Sequence, residues 1–160
     1  MAAPNTEDAH LYLQLLEMTQ QPQFVDARHW VVYELDTSTA KEFNEKYHAG
    51  ADERSRVTTV LTFYDSVGAL VSRGLLHEDL FFDAPLGFEV VWPRVEALVV
   101  DWQKAARDDP AWENVTWLAR RFESWRASTW RPKLEAIPTD RPPTKQWGEG
   151  GEHHVGFSKG

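Results

Sequence analysis

Apolar residues recur at three- and four-residue steps along most of the chain as far as Trp130, and that period is helical rather than extended. Asn5 or Thr6 can cap a first helix, on which Leu11, Tyr12, Leu15, Met18 and Thr19 share one face. Gln21-Pro22 breaks it, and Pro22 suits the first position of a second helix. There Phe24, Ala27, Val31 and Leu35 form the apolar stripe, flanked by Val25, Arg28 and Val32. The segment Asp36-Thr37-Ser38-Thr39 reads as loop and cap for a short helix to about His48, closed by Ala49-Gly50.

The run from Ala51 to Gly74 carries the densest pattern. At about 100° per residue, Val57, Val60, Leu61, Phe63, Tyr64, Val67, Gly68, Leu70 and Val71 occupy one half of the helical wheel. Arg54, Thr58, Thr62, Asp65, Ser66, Ala69, Ser72 and Arg73 occupy the other. An apolar arc of roughly 180° is wider than one helix contact needs, so this helix should touch two or more neighbours. Gly68 lies inside the arc, where the missing side chain would admit a close approach.

Beyond it, Asp83 and Pro85 open a stretch with Phe88, Val91, Trp92, Val95, Leu98, Val99, Trp102 and Ala106 in register. Pro93 inside that stretch predicts a kink or restart near Trp92. Asp109 and Pro110 are suited to cap and first position of a last helix, buried through Ala111, Trp112, Val115, Leu118, Ala119, Phe122 and Trp125. From Ile137 the period stops, and Pro138, Pro142, Pro143 and a glycine-rich end read as a tail with Trp147 and Phe157 as docking points. The expectation is all-α: a compact bundle of about five to seven helices. Residues 1–136 form one helical domain and 137–160 a flexible Pro/Gly-rich tail.

Composition narrows the chemistry. A chain of 160 residues, 42% apolar and with eight tryptophans, has enough apolar area to order one domain. It has no cysteine, which removes disulfides, thiolate metal sites and thiol nucleophiles. No basic leader with an apolar stretch stands at the start, and no uncharged apolar run nears the ~20 residues of a membrane helix. A cytoplasmic location without membrane attachment is therefore expected. The net charge of −8 is uneven: residues 1–83 hold 14 acidic and 6 basic side chains, whereas 84–160 hold 11 of each. An acidic half argues against nucleic acid or anionic lipid as the main partner.

The blocks Val60-Leu-Thr-Phe-Tyr-Asp-Ser-Val-Gly and Arg73-Gly-Leu-Leu-His-Glu-Asp-Leu, then Val91-Trp-Pro-Arg-Val-Glu-Ala-Leu and Trp112-Glu-Asn-Val-Thr-Trp-Leu-Ala, stand in a fixed order. In this the chain resembles the family of domain of unknown function 4760, small helical proteins found mainly in bacteria, over about residues 20–123. Asp65 stands where that family more often has glutamate, and Pro93 interrupts a helix that is usually continuous. Many of its members carry an N-terminal membrane helix, for which no counterpart is expected here. The resemblance implies a fold and no reaction.

Candidate sites follow from the placement of polar residues. Asp65 borders the apolar arc and suits either a base or cation site, or a polar seam with Arg28, Arg54 or Arg73 between helices; the seam of Arg54, Asp65 and Arg73 is the preferred reading. His77-Glu78-Asp79 with Asp83 has no metal-ligand spacing and fits the first turn of a short helix burying Leu80 and Phe81. Arg28-His29-Trp30 reads as a stacked Arg–Trp pair or a core histidine, and His153-His154 as a weak chelating pair. The last helix interleaves Arg120, Arg121, Arg126, Arg131 and Lys133 with Trp117, Trp125 and Trp130, and Trp117 lies off its buried stripe. An interaction surface at Trp117, Arg120 and Arg121 is therefore expected. The chain reads as a small interaction or regulatory module working through a protein partner or self-association, with no catalytic, cofactor or metal residue assigned. A hydrolase or metal-dependent enzyme at Asp65 and the acidic turn 77–83 is the alternative, and a single-strand nucleic-acid binder is a weaker one.

Overall fold

Seven α-helices carry the residues described by this computed structural model, 2–106 and 111–133. They are α1 (Thr6–Thr19), α2 (Pro22–Tyr33), α3 (Ala40–Lys46), α4 (Asp52–Ser72), α5 (Glu78–Asp83), α6 (Phe88–Ala105) and α7 (Glu113–Ser128), with no strand among the described residues. The chain divides into two units, Met1–Trp130 and Arg131–Gly160. The first holds all seven helices, and of the second only residues 131–133 are described. Asp109, Pro110, the tail from Ile137, Trp147, His153, His154 and Phe157 lie outside the described residues.

The central helix is α4. Its 21 residues span about 30 Å, and Val57, Val60, Leu61, Phe63, Tyr64, Val67, Gly68 and Val71 are buried as the wheel predicts. Leu70 alone of the predicted arc is only half-buried. The wide arc serves two partners: α4 packs most extensively on α7 and on α2, while α2 also meets α6. Around that layer α1 meets α5 and α2, and α3 meets α6. Aromatic contacts fill the junction of α2, α4 and α6, with Phe24 edge-on to Phe63 at 4.9 Å and Tyr64 tilted against Phe88 at 5.2 Å. Such pairs add ~0.5–1.5 kcal/mol each beyond area burial.

Gly68 does admit a close approach. A Cβ built there would stand 2.3 Å from the Asn114 carbonyl oxygen and 2.7 Å from its carbon. Only glycine lets the backbone at the start of α7 rest directly on α4.

Elsewhere the structure corrects the pattern. Met18 is 54% exposed, and Val25 also faces solvent, because α1 and α2 bury narrower stripes than the pattern suggests. Trp30 is buried edge-on to Tyr47, Arg28 lies over Phe24 rather than Trp30, and His29 is exposed beside Tyr33. In α5, Phe82 takes the buried place expected of Leu80. The next helix starts at Phe88 rather than Asp83, since Leu86 (φ 53°) and Gly87 (φ 86°) take left-handed backbone that a helix cannot include. It then runs through Pro93 without a restart. Pro93 lies early in α6, so the carbonyl it leaves unbonded is that of Glu89, an exposed residue open to water. The last helix starts at Glu113, after Trp112 in left-handed backbone.

Candidate functional site

Three helix starts in this bundle are completed by an aspartate from a distant helix. The first amides of any helix lack an internal partner and need an acceptor. In α7 no local side chain provides one. Asp65 does so from α4, its Oδ1 accepting the Val115 amide at 2.9 Å and its Oδ2 accepting Asn114 Nδ2 at 3.1 Å. In α3, Asp101 of α6 accepts the Ala40 amide at 2.6 Å, alongside the local Thr39 cap. At α5, Asp8 of α1 accepts the His77 amide at 2.8 Å. Asp8 also closes a capping box with Asn5 at the start of its own helix. Each carboxylate opposes the positive end of a helix dipole while fixing where that helix docks.

The predicted seam of Arg54, Asp65 and Arg73 does not form. Arg54 lies 11 residues before Asp65, about 16 Å away along the axis. It donates instead to the Tyr47 carbonyl and to Asn44 Oδ1, both at 2.6 Å, with its guanidinium over Phe43. Arg73 terminates α4 in an exposed position. Asp65 thus meets backbone and amide donors of α7 rather than an arginine.

The acidic turn is also engaged. His77 caps α5, its Nδ1 accepting the Asp79 amide at 3.1 Å. That amide can only donate, so the ring proton resides on Nε2 and is donated to the Ala2 carbonyl. Glu78, with a side chain 12% exposed, receives Nε and Nη2 of Arg121 in a two-pronged pair at 2.6 and 2.5 Å. The carboxylate holds the Arg121 guanidinium above its ordinary pKa. Asp79 accepts the indole N–H of Trp125 at 2.7 Å. Asp65, Glu78 and Asp79 therefore grip α7 at its start, middle and end. Among the described residues, no group of three or more His, Asp or Glu side chains is placed to hold a metal ion.

These contacts leave a hollow of about 510 Å³ where the segment before α1, the end of α4, the start of α5 and one turn of α7 converge. It is lined by Ala2, Ala3, Asn5, Glu7 and Asp8 from the N-terminal segment and α1, by Val71, Ser72 and Leu75 at and after the end of α4, by His77 and Glu78 at the start of α5, and by Trp117 of α7. Trp117 is 37% exposed and Leu75 61% exposed. Of the three residues expected as an interaction surface, Trp117 borders this hollow, Arg120 is exposed one turn on, and Arg121 is turned inward to Glu78. Sequence periodicity leaves out Asp8 and Leu75. Asp8 has a local signal, the Asn5–Asp8 capping spacing, but its bond to His77 bridges 69 positions and has none. Leu75 is turned outward just after Gly74, whose φ of 70° ends α4.

Fold and site together define a small all-α bundle with interhelical caps and an open hollow beside Trp117. The chain belongs to the family described as Domain of unknown function (DUF4760), whose model matches residues 6–122. The match takes in α1, which the sequence blocks omit, and reaches into α7 past Trp117. No curated protein and no solved structure matches the chain. No helix among the described residues is long and apolar enough to cross a membrane.

Proposed function

We propose that this chain is a small helical interaction module that binds a protein partner at the hollow bordered by Trp117. The observation that carries this reading is Trp117 itself: a large aromatic side chain 37% exposed on α7, a helix otherwise anchored by Asp65, Glu78 and Asp79. A rigidly mounted, partly exposed tryptophan beside a concavity is the arrangement that hot spots of protein interfaces favour. A cytoplasmic setting accompanies the proposal, since a chain without cysteine suits a reducing compartment.

The hydrolase alternative is less well supported because its residues are committed to the fold. Asp65, Glu78 and Asp79 accept bonds from α7, and both ring nitrogens of His77 are engaged. The nucleic-acid alternative loses Arg121 to Glu78 and Trp125 to the core. Affinity capture from the native lysate, with wild type, Trp117→Ala and Trp130→Ala compared, tests the reading. A protein captured by wild type and by Trp130→Ala, but lost with Trp117→Ala at unchanged melting temperature, supports it. A strict monomer that captures nothing, or capture indifferent to Trp117, overturns it.

A further inference from the structure

Among the described residues, the carboxylates lining the hollow are Glu7, Asp8 and Glu78, and no lysine or arginine lines it. They are not equally neutralised. Arg121 balances Glu78. Asp8 is held by backbone amides at the starts of α1 and α5, whose dipoles offset part of its charge, and it has no cationic side-chain partner among the described residues. Glu7 is exposed and makes no hydrogen bond or ion pair with the described residues. Both ring nitrogens of His77 are engaged, Nδ1 by the Asp79 amide and Nε2 by the Ala2 carbonyl. Apolar surface from Val71, Leu75 and Trp117 stands beside this negative field.

We infer that the hollow receives a lysine or arginine side chain from a basic segment of the partner protein. The inference rests on the interaction reading above and adds the partner's chemistry. A long cationic side chain matches both halves of the site. Its alkyl stem covers Leu75 and Val71, as such stems cover apolar surface elsewhere. Its charged head reaches Glu7 and the field of Asp8, beside the partly exposed Trp117. An acidic or phosphorylated segment would bring its charge against exposed Glu7 and the partly offset Asp8. A second copy of this chain is a poorer occupant, because each copy carries a net charge of −8. The volume of about 510 Å³ lies within the range of sites that bury small ligands, room enough for one such side chain and its neighbours.

Titration of the full chain with an acetylated decapeptide of alternating arginine and glycine tests this, alongside its glutamate–glycine counterpart. The readout is the Trp117 indole N–H resonance, assigned by its loss in Trp117→Phe. The arginine peptide is expected to shift that resonance and to bind more weakly as salt rises. Glu7→Gln, an exposed change with no partner to lose, is expected to weaken binding about two- to fivefold, the range of an exposed ion pair. Equal binding of both peptides, or indifference to Glu7→Gln, overturns the cationic occupant while leaving the interaction reading intact. Broadening of the Trp117 resonance with protein concentration alone, with light scattering of a dimer, assigns the hollow to a second copy and overturns it as well. No response of Trp117 to either peptide also overturns the inference, and the capture comparison above then decides separately whether the interaction reading survives.

Discussion

Replacing Gly68 by alanine sets two opposing effects of known size against each other. Alanine is the better helix former by ~1 kcal/mol in a helix interior, so propensity alone predicts a more stable protein. The new methyl would stand 2.3 Å from the Asn114 carbonyl oxygen, whereas carbon–oxygen contacts settle at about 3.3–3.6 Å. The obstacle is backbone, which cannot swing aside, so α7 must retreat by about 1 Å. Overpacking of this kind costs ~1–3 kcal/mol. The same retreat stretches the 2.9 Å bond from the Val115 amide to Asp65 beyond bonding distance. Val115 is fully buried, so its amide loses its acceptor at a further ~1–3 kcal/mol. The clash outweighs propensity, and a net loss of ~2–4 kcal/mol is expected. Urea unfolding followed by circular dichroism reads this as a fall of about 1 M or more in midpoint at unchanged slope. Thr62→Ala on the exposed side of α4 serves as control and is expected to gain a few tenths of a kcal/mol. A Gly68→Ala protein as stable as wild type, with a normal slope, would refute the close approach of α4 and α7.

Three further outcomes follow from the same contacts. Asp65→Ala is expected to lose ~1–3 kcal/mol and Asp65→Asn about half that, because asparagine keeps an acceptor for the Val115 amide but not the charge facing the helix dipole; thermal melts of the pair check the order, and an Asp65→Ala protein with its full melting temperature contradicts it. Burial, with a smaller push from Glu89, raises the Tyr64 phenol above the ordinary tyrosine value, and its hydroxyl donates to the Leu86 carbonyl at 2.7 Å. A raised folded-state pKa contributes stability that is complete below about pH 10 and is lost as pH rises beyond it. Tyr64→Phe should therefore flatten the alkaline fall in stability measured by urea midpoints from pH 9 upward, and an unchanged slope would exclude Tyr64 as its source. Trp125→Ala is expected to cost ~3–5 kcal/mol, since Trp125 is 4% exposed and bonded to Asp79, while Trp117→Ala should stay within ~1 kcal/mol of wild type; equal losses for the two would undo their assignment as core and surface.

The helices and their buried faces were legible wherever the signal is a period within one segment. The arc of α4, the caps at Asn5 and Thr39, Pro22 at the head of α2 and the close approach at Gly68 are all local or nearly local statements. Failures arose where the deciding partner is remote. Asp65 was recognised as a polar residue at a helix junction, yet its donors lie on a segment 49 and 50 positions later, and nothing in the spacing of arginines points to a backbone amide. The start of α6 was misplaced because the turn before it is held from outside: Tyr12 donates to the Ala84 carbonyl and Tyr64 to that of Leu86. The hollow was not legible at all, since it is bounded by segments that meet only after α1, α4, α5 and α7 have assembled.

The aspartate that completes a helix from elsewhere also imposes an order in time. A chain leaving the ribosome emerges from its N-terminus, and Asp8 and Asp65 are already present when α5 and α7 appear, so those two helices find their acceptors waiting. The opposite holds for α3. Its acceptor, Asp101, is translated 61 residues after Ala40, a wait of about 3–12 s at ordinary elongation rates. Until then Thr39 caps this seven-residue helix and Arg54 of α4 holds its far end, while the Ala40 amide lacks its acceptor. The arrival of α6 supplies that acceptor and completes the start of α3.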